Sequence, residues 1–140
     1  MALEEEIQTI SYTIEVLKEQ ANMLEEQQGY YLETLQGLRI TQNTLDEIEK
    51  LPEHHEIILP IGNRAYIKAR LQDPSKILIA ISKDIIMEKT LAEARVYTQK
   101  IMEEYNTALQ KTKEKLSQVT KKLDELMNAL NQRVASNNAE

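Results

Sequence analysis

From Ile7 onward, apolar residues recur in alternating steps of three and four. One heptad series runs Ile7, Ile14, Ala21, Gln28, Leu35, Gln42, and the other runs Ile10, Leu17, Leu24, Tyr31, Leu38, Leu45. Sustained over nearly six heptads, this pattern predicts a coiled-coil helix over residues 3–51. Glu4, Glu5 and Glu6 suit the positive end of its dipole, and Leu51-Pro52 stops it. Gln28 and Gln42 interrupt the seam. They read either as looser packing or as register specification. Gly29 and Gly37 weaken the same helix.

A second series runs Leu91, Ala94, Thr98, Ile101, Tyr105, Leu109, Thr112, Leu116, Val119, Leu123, Leu126, Leu130, Val134. Two steps of four meet at Tyr105, so the phase slips there. Thr90 and Glu93 have capping-box spacing and mark the start. The second helix is expected over 90–135, with residues 136–140 as a frayed tail. Two heptad helices of similar length joined by a short insertion imply an antiparallel hairpin, which brings Ile7 near Leu130 and Val134.

Between the helices the period changes from seven to two. Residues 56–88 predict two successive β-hairpins, with strands at 57–61, 65–71, 76–81 and 85–88. Gly62-Asn63, Gln72-Asp73-Pro74-Ser75 and Ser82-Lys83-Asp84 read as the turns. Pro60 cannot donate to a ladder and belongs at an edge or an unpaired position. Ile57, Ile58, Leu59, Ile61, Ile67, Ile77, Leu78, Ile79, Ile81, Ile85 and Ile86 all fall in this segment. Four short strands cannot bury both faces of that inventory. We therefore expect Ile57, Leu59, Ile61, Ile67, Ile77, Ile79, Ile81, Ile85 and Ile86 to serve subunit assembly, with strands completing an intersubunit β-barrel. The fold class is α+β, mainly α: one subunit over 1–140 in which a long antiparallel coiled-coil hairpin carries two inserted β-hairpins.

Composition strengthens this picture. The 140 residues include no Cys, Trp or Phe, so neither an aromatic core nor a disulfide scaffold is available. Residues 3–51 carry eleven acids against three bases, residues 52–87 four against five, and residues 88–140 eight against nine. No region is strongly basic, so nucleic acid is not an expected partner. The acidic first helix and Lys-rich second helix favour each other. The N-terminal MALEEEIQTI lacks the basic region of a signal peptide, and no apolar run is long enough to span a bilayer. No membrane association is expected, and the expected location is cytoplasmic.

Candidate chemistry is thin. His54 and His55 have only Glu53 and Glu56 as possible co-ligands, which predicts a solvated linker rather than a metal site. No phosphate-binding glycine loop and no nucleophile–base–acid arrangement can be drawn. The expectation is no enzyme, no cofactor and no metal. The free end of the hairpin is more informative. Leu3, Ile7, Ile10, Ile14, Leu126, Met127, Leu130 and Val134 would cluster there, with Tyr12, Val16 and Met23 lying off the seam. Some of these complete the coiled coil, and a frayed end would present the rest to apolar chains.

The order helix, two hairpins, helix resembles the α-class subunit of prefoldin. HEIILPIGNRAYIKARLQDPSKILIAISKDIIMEKTLAEA at 55–94 carries the likeness, and EEYNTALQKTKEKL at 103–116 also fits. The family usually has Gly-x-Gly in both hairpin turns. Here the turns are Gly62-Asn63-Arg64 and Ser82-Lys83-Asp84, as in a divergent paralogue or a self-assembling variant. The resemblance implies an ATP-independent holdase chaperone in which two α-class subunits join four β-class subunits. Unfolded clients are held at the coiled-coil tips and passed to a group II chaperonin. A structural coiled-coil protein that builds a filament or scaffold through its β region is the alternative.

Overall fold

The computed structural model describes residues 2–139. The element order is α1 (Ala2–Glu49), β1 (Glu56–Pro60), β2 (Tyr66–Arg70), β3 (Lys76–Ser82), β4 (Ile85–Thr90) and α2 (Leu91–Ala139). α1 ends two residues before the expected boundary. β4 runs two residues further than expected, and α2 stays helical through Ala139, including the segment expected to fray. Met1 and Glu140 of the expected 1–140 unit lie outside the described residues.

Two compact units partition the chain: residues 2–34 with 105–139, and Leu35–Glu104. In the first, α1 and α2 pair antiparallel. Arg133 Nε donates to Glu6 Oε2 at 3.0 Å, and Thr112 Oγ1 donates to Gln27 Oε1 at 3.3 Å. Tyr31 and Tyr105 meet edge to face with centroids 5.7 Å apart. Ile14, Ala21, Leu109 and Thr112 are buried between the two helices. Every position of both predicted heptad series on α1 is buried or half-buried, the two Gln included. On α2 the predicted seam is likewise covered from Leu91 to Leu130, while Val134 is exposed. The slip at Tyr105 holds three rings: Tyr30, Tyr31 and Tyr105 lie within 5.7–6.3 Å of one another. Two successive four-residue steps unwind a coiled coil locally, and the wide aromatic side chains fill the space this leaves.

In the second unit, Leu35, Leu45, Leu91, Ala94 and Thr98 form the buried set. Gln42, a seam position, donates through Nε2 to the Arg95 carbonyl at 3.1 Å. This bond gives a polar seam position a partner on the facing helix. Arg95 adds a two-pronged clamp, with Nη2 at 2.8 Å from Asp46 Oδ1 and 2.9 Å from Glu49 Oε2. Glu49, and behind it Asp46, holds the guanidinium in its charged form.

The strands form two separate two-stranded antiparallel sheets. β1 and β2 run Glu56↔Arg70 to Pro60↔Tyr66. Ile61 N–H donates to Ala65 C=O and Leu71 N–H to His55 C=O, both at 3.0 Å. Odd-numbered residues of β1 therefore bond across the hairpin, and even-numbered ones turn their backbone groups outward. Pro60 is one of the outward ones, so its missing N–H costs no bond within the hairpin. β3 and β4 run Lys76↔Thr90 to Ser82↔Ile85, with a bulge between Ala80 and Ser82.

The turns explain how glycine is dispensed with. Among the described residues, positive φ occurs at Gly62 (148°), Arg64 (64°) and His54 (60°). The first hairpin turn thus uses a left-handed residue, and Arg64 supplies it. The second turn takes no positive φ, because the bulge absorbs the reversal. His54 lies at the exit from α1, where its N–H donates to Leu71 C=O at 2.8 Å. In the third turn Asp73 accepts from Ser75 Oγ at 2.6 Å and Ser75 N–H at 2.9 Å. Those bonds lower the Asp73 carboxyl pKa.

β4 passes into α2 without a loop. Thr90 is the last strand residue and the helix cap. Its Oγ1 accepts from Glu93 N–H at 3.1 Å, and its N–H donates to Glu93 Oε1 at 3.2 Å. This is the predicted capping box. Leu91 N–H, which the helix leaves unpaired, donates to Ser75 C=O at 2.8 Å.

Two predictions follow from these junctions. Thr90, through its backbone N–H first and its hydroxyl second, holds the Glu93 carboxyl below the usual carboxylate range. A lowered folded pKa means the stabilisation is complete above the ordinary value of about 4.3 and is lost as pH falls through the lowered one. Thermal melts followed by circular dichroism should show the midpoint falling through that window, and Glu93→Gln should flatten this part of the profile. Arg64→Gly should raise stability by about 1 kcal/mol, because a left-handed residue with a Cβ costs roughly 1–2 kcal/mol. Urea unfolding of both proteins measures the difference, and an unchanged midpoint would refute the strain.

Candidate interaction surfaces

The hairpins expose apolar side chains on both faces. In β3 and β4, Ile77, Ile79, Met87 and Lys89 share one face, and Leu78, Ala80, Ile86 and Glu88 share the other. Leu78 is 70% and Ile86 66% exposed. In β1 and β2, Ile57, Leu59, Ile67 and Ala69 share one face, with Ile58, Pro60, Tyr66 and Lys68 opposite. Ile58 and Tyr66 are as exposed as Ile86. Among the described residues, Ile58, Tyr66, Leu78 and Ile86 are left exposed, the face with Ile57, Ile77 and Ile79 is only partly covered, and each two-stranded sheet leaves both outer edges unpaired.

Of the nine residues expected to serve assembly, Ile57, Ile77 and Ile79 are half-buried. Leu59, Ile61, Ile67, Ile81, Ile85 and Ile86 are exposed. The structure adds Ile58, Tyr66, Leu78 and Met87. Alternate positions of β1 and β3 captured one face of those strands, which left out Ile58 and Leu78, while Tyr66 and Met87 were missed on the partner strands. The sequence signal for them is the excess of apolar residues over what one face can hold.

The expected tip residues all belong to the 2–34 with 105–139 unit. Ile14 is buried, and Leu3, Ile7, Ile10, Leu126 and Leu130 are half-buried. Met127 and Val134 are exposed. The Glu6–Arg133 ion pair lies among them, and Glu6, Ile10 and Arg133 line a shallow open groove. Most of this apolar surface is thus engaged between the two helices, with Met127 and Val134 presented outward. Partial cover suits weak, reversible contact with extended apolar chains, since little rearrangement uncovers the rest.

Among the described residues, no group of three His, Asp or Glu side chains is placed to hold a metal ion. No helix is long and apolar enough to cross a membrane. The grooves along the helices are open and shallow, lined by residues spread over about three helical turns.

Comparison with known proteins matches the whole arrangement rather than one part of it. The family model for the prefoldin subunit covers residues 17–136, taking in both helices and both hairpins. The prefoldin α subunit of Methanococcus maripaludis is 33% identical over 113 residues, covering 80% of this chain and 73% of its own. That of Pyrococcus horikoshii is 25% identical over 122 residues, covering 86% and 82%. Among solved structures, a filamentous PFD from Methanocaldococcus jannaschii superposes with a TM-score of 0.72 at 19% identity, over 84% of this chain and 98% of that one. The prefoldin β subunit from Thermococcus strain KS-1 superposes with a TM-score of 0.59 at 17% identity, over 90% of each chain. Two long helices flanking two antiparallel hairpins are the fold that the solved structures share with it, and the chain belongs to the prefoldin family as a relative of its α subunits.

Proposed function

We propose that this chain is a holdase subunit that works without nucleotide. Family membership supports the role of a chaperone subunit in a prefoldin hetero-oligomer. On our reading, two copies join four β-class subunits through the hairpins, whose strands complete a barrel between subunits. Unfolded proteins are captured at the coiled-coil ends by Leu3, Ile7, Ile10, Ile14, Leu126, Met127, Leu130 and Val134. They are then passed to a group II chaperonin in the cytoplasm. The observation that carries this reading is the double-faced apolar surface of the hairpins, which demands other chains, within a family match spanning nearly the full sequence.

Capture at the ends is multivalent. Each contact buries little apolar area, at about 25 cal/mol per Å². Several arms engaging one client raise the effective affinity by orders of magnitude without tight individual sites. Met127 suits such a surface, because a flexible thioether repacks against varied partners.

The alternative, a filament or scaffold built through the β region, draws support from the likeness to the filamentous PFD. It draws support also from Arg64, which places a cation at a hairpin turn.

Native mass measurement separates the two. The chain mixed with a β-class prefoldin subunit should give a heterohexamer, and Leu78→Ser with Ile86→Ser should abolish it while leaving helicity intact. A long homopolymer from the chain alone, indifferent to the β-class subunit, would favour the scaffold. Removing residues 1–14 and 126–140 should eliminate suppression of aggregation of a denatured test protein while the assembly survives. Equal protection by the truncated assembly would refute capture at the ends.

A further inference from the structure

α1 carries a second apolar stripe that neither the seam nor the hairpins use. Tyr12, Val16, Met23 and Tyr30 are spaced by four, seven and seven residues. At 3.6 residues per turn these four positions fall within about 40° of one another, on the side away from the seam. Their exposures run from 46% at Val16 to 69% at Tyr12, so nothing in the chain covers them. Tyr30 is nevertheless held in place, its ring packed against Tyr31 and Tyr105.

The surroundings of the stripe are asymmetric in charge. Glu15, Glu19, Glu26 and Glu33 run along one flank, all exposed. No ion pair among the described residues engages any of them, whereas Glu6, Asp46 and Glu49 of the same helix are paired to arginines. The opposite flank is neutral, with Gln20 and Gln27 beside the shallow groove that Met23 and Tyr30 line. Four unpaired carboxylates thus lie beside three apolar side chains without a ring partner and the outer side of Tyr30, along some 27 Å of helix at about 1.5 Å per residue.

We propose that this stripe is a docking surface for cationic amphipathic segments of other proteins, helices whose apolar face is bordered by Lys or Arg. The apolar side chains supply the buried area, at the i, i+4, i+11 spacing that an amphipathic helix lying alongside can match. The carboxylates select charge and orientation, because the acidic flank lies on one side only. Anionic membranes and nucleic acids carry the wrong sign for this flank. The surface is distinct from the coiled-coil ends, and its existence does not depend on capture there.

The test uses the full-length chain and a labelled 18-residue Leu/Lys amphipathic peptide, read by fluorescence anisotropy, with a Leu/Glu peptide of the same pattern as control. The Leu/Lys peptide should bind and weaken as salt rises, and the Leu/Glu peptide should bind at least tenfold more weakly. Val16→Ser with Met23→Ser, and separately Glu19→Gln with Glu26→Gln, should each weaken binding at least tenfold at unchanged helicity. Because both double variants keep the ends intact, their aggregation suppression reports on the ends separately. Unchanged affinity in both variants overturns the proposal, as does equal binding of the Leu/Glu peptide. A change in native mass of the Val16/Met23 variant would instead assign the stripe to a second copy of the chain. Binding of the parent to phosphatidylserine vesicles that both variants lose would assign it to membrane, and either result also overturns the proposal.

Discussion

A pair of facing helices covers one stripe on each partner and leaves the remaining surface to solvent. Every other feature of this chain follows from that limit. No large side chain is fully buried among the described residues, and the deepest positions are small or lie on the seam: Ala94, Leu45, Thr98, Thr112. A fold without a closed core has no interior in which to sequester a reaction from water. What it offers is surface, and here the surface is apolar where the chain is β and mixed where it is helical.

With so little depth, pairing is fixed by polar contacts. A shallow apolar seam tolerates sliding by a heptad, because one Leu replaces another at small cost. A bond between particular atoms does not. Gln42 to the Arg95 carbonyl, Arg95 to Asp46 and Glu49, Thr112 to Gln27, and Arg133 to Glu6 each join one position on α1 to one on α2. The buried Thr98 stays within its own helix and donates to the Ala94 carbonyl at 2.8 Å. Exposed ion pairs of this kind contribute at most about 1 kcal/mol each, so their effect is selection among registers rather than bulk stability.

Much of this was legible in the residues. Every position that the heptad series named on α1 is covered, because a period of 3.5 is dictated by geometry that tertiary context does not alter. The capping box at Thr90 and Glu93 was legible for the same reason, being a local exchange of two bonds. The orientation of Pro60 could be anticipated from its missing donor. Less legible was whatever depends on what an element meets. Ile58 and Leu78 fell out of the expected assembly set because alternation implies one covered face, and in these hairpins even that face is only partly covered. The left-handed Arg64 and the bulge at Ser82 were hidden because two turns lacking the usual glycines were solved in different ways. At the ends, the seam predicted contact for Ile14 and Leu130, while the exposure of Val134 depends on how far the facing helix reaches.

The two turns bear on how such a chain is tied to its neighbours. A bulge is a stable, self-contained answer to a reversal without glycine, and β3 and β4 adopt it. The first hairpin keeps the left-handed geometry with a side chain that disfavours it, so the strain there is retained rather than removed. Strain of this kind persists where surrounding structure determines the conformation. The bond from Ile61 N–H to Ala65 C=O closes the turn tightly enough to do so. The consequence is an exposed arginine on the hairpin turn, close in sequence to the exposed Ile61. A partner strand or subunit meeting that turn encounters charge as well as apolar surface, and a like-charged neighbour is excluded at a cost that a glycine turn would not impose.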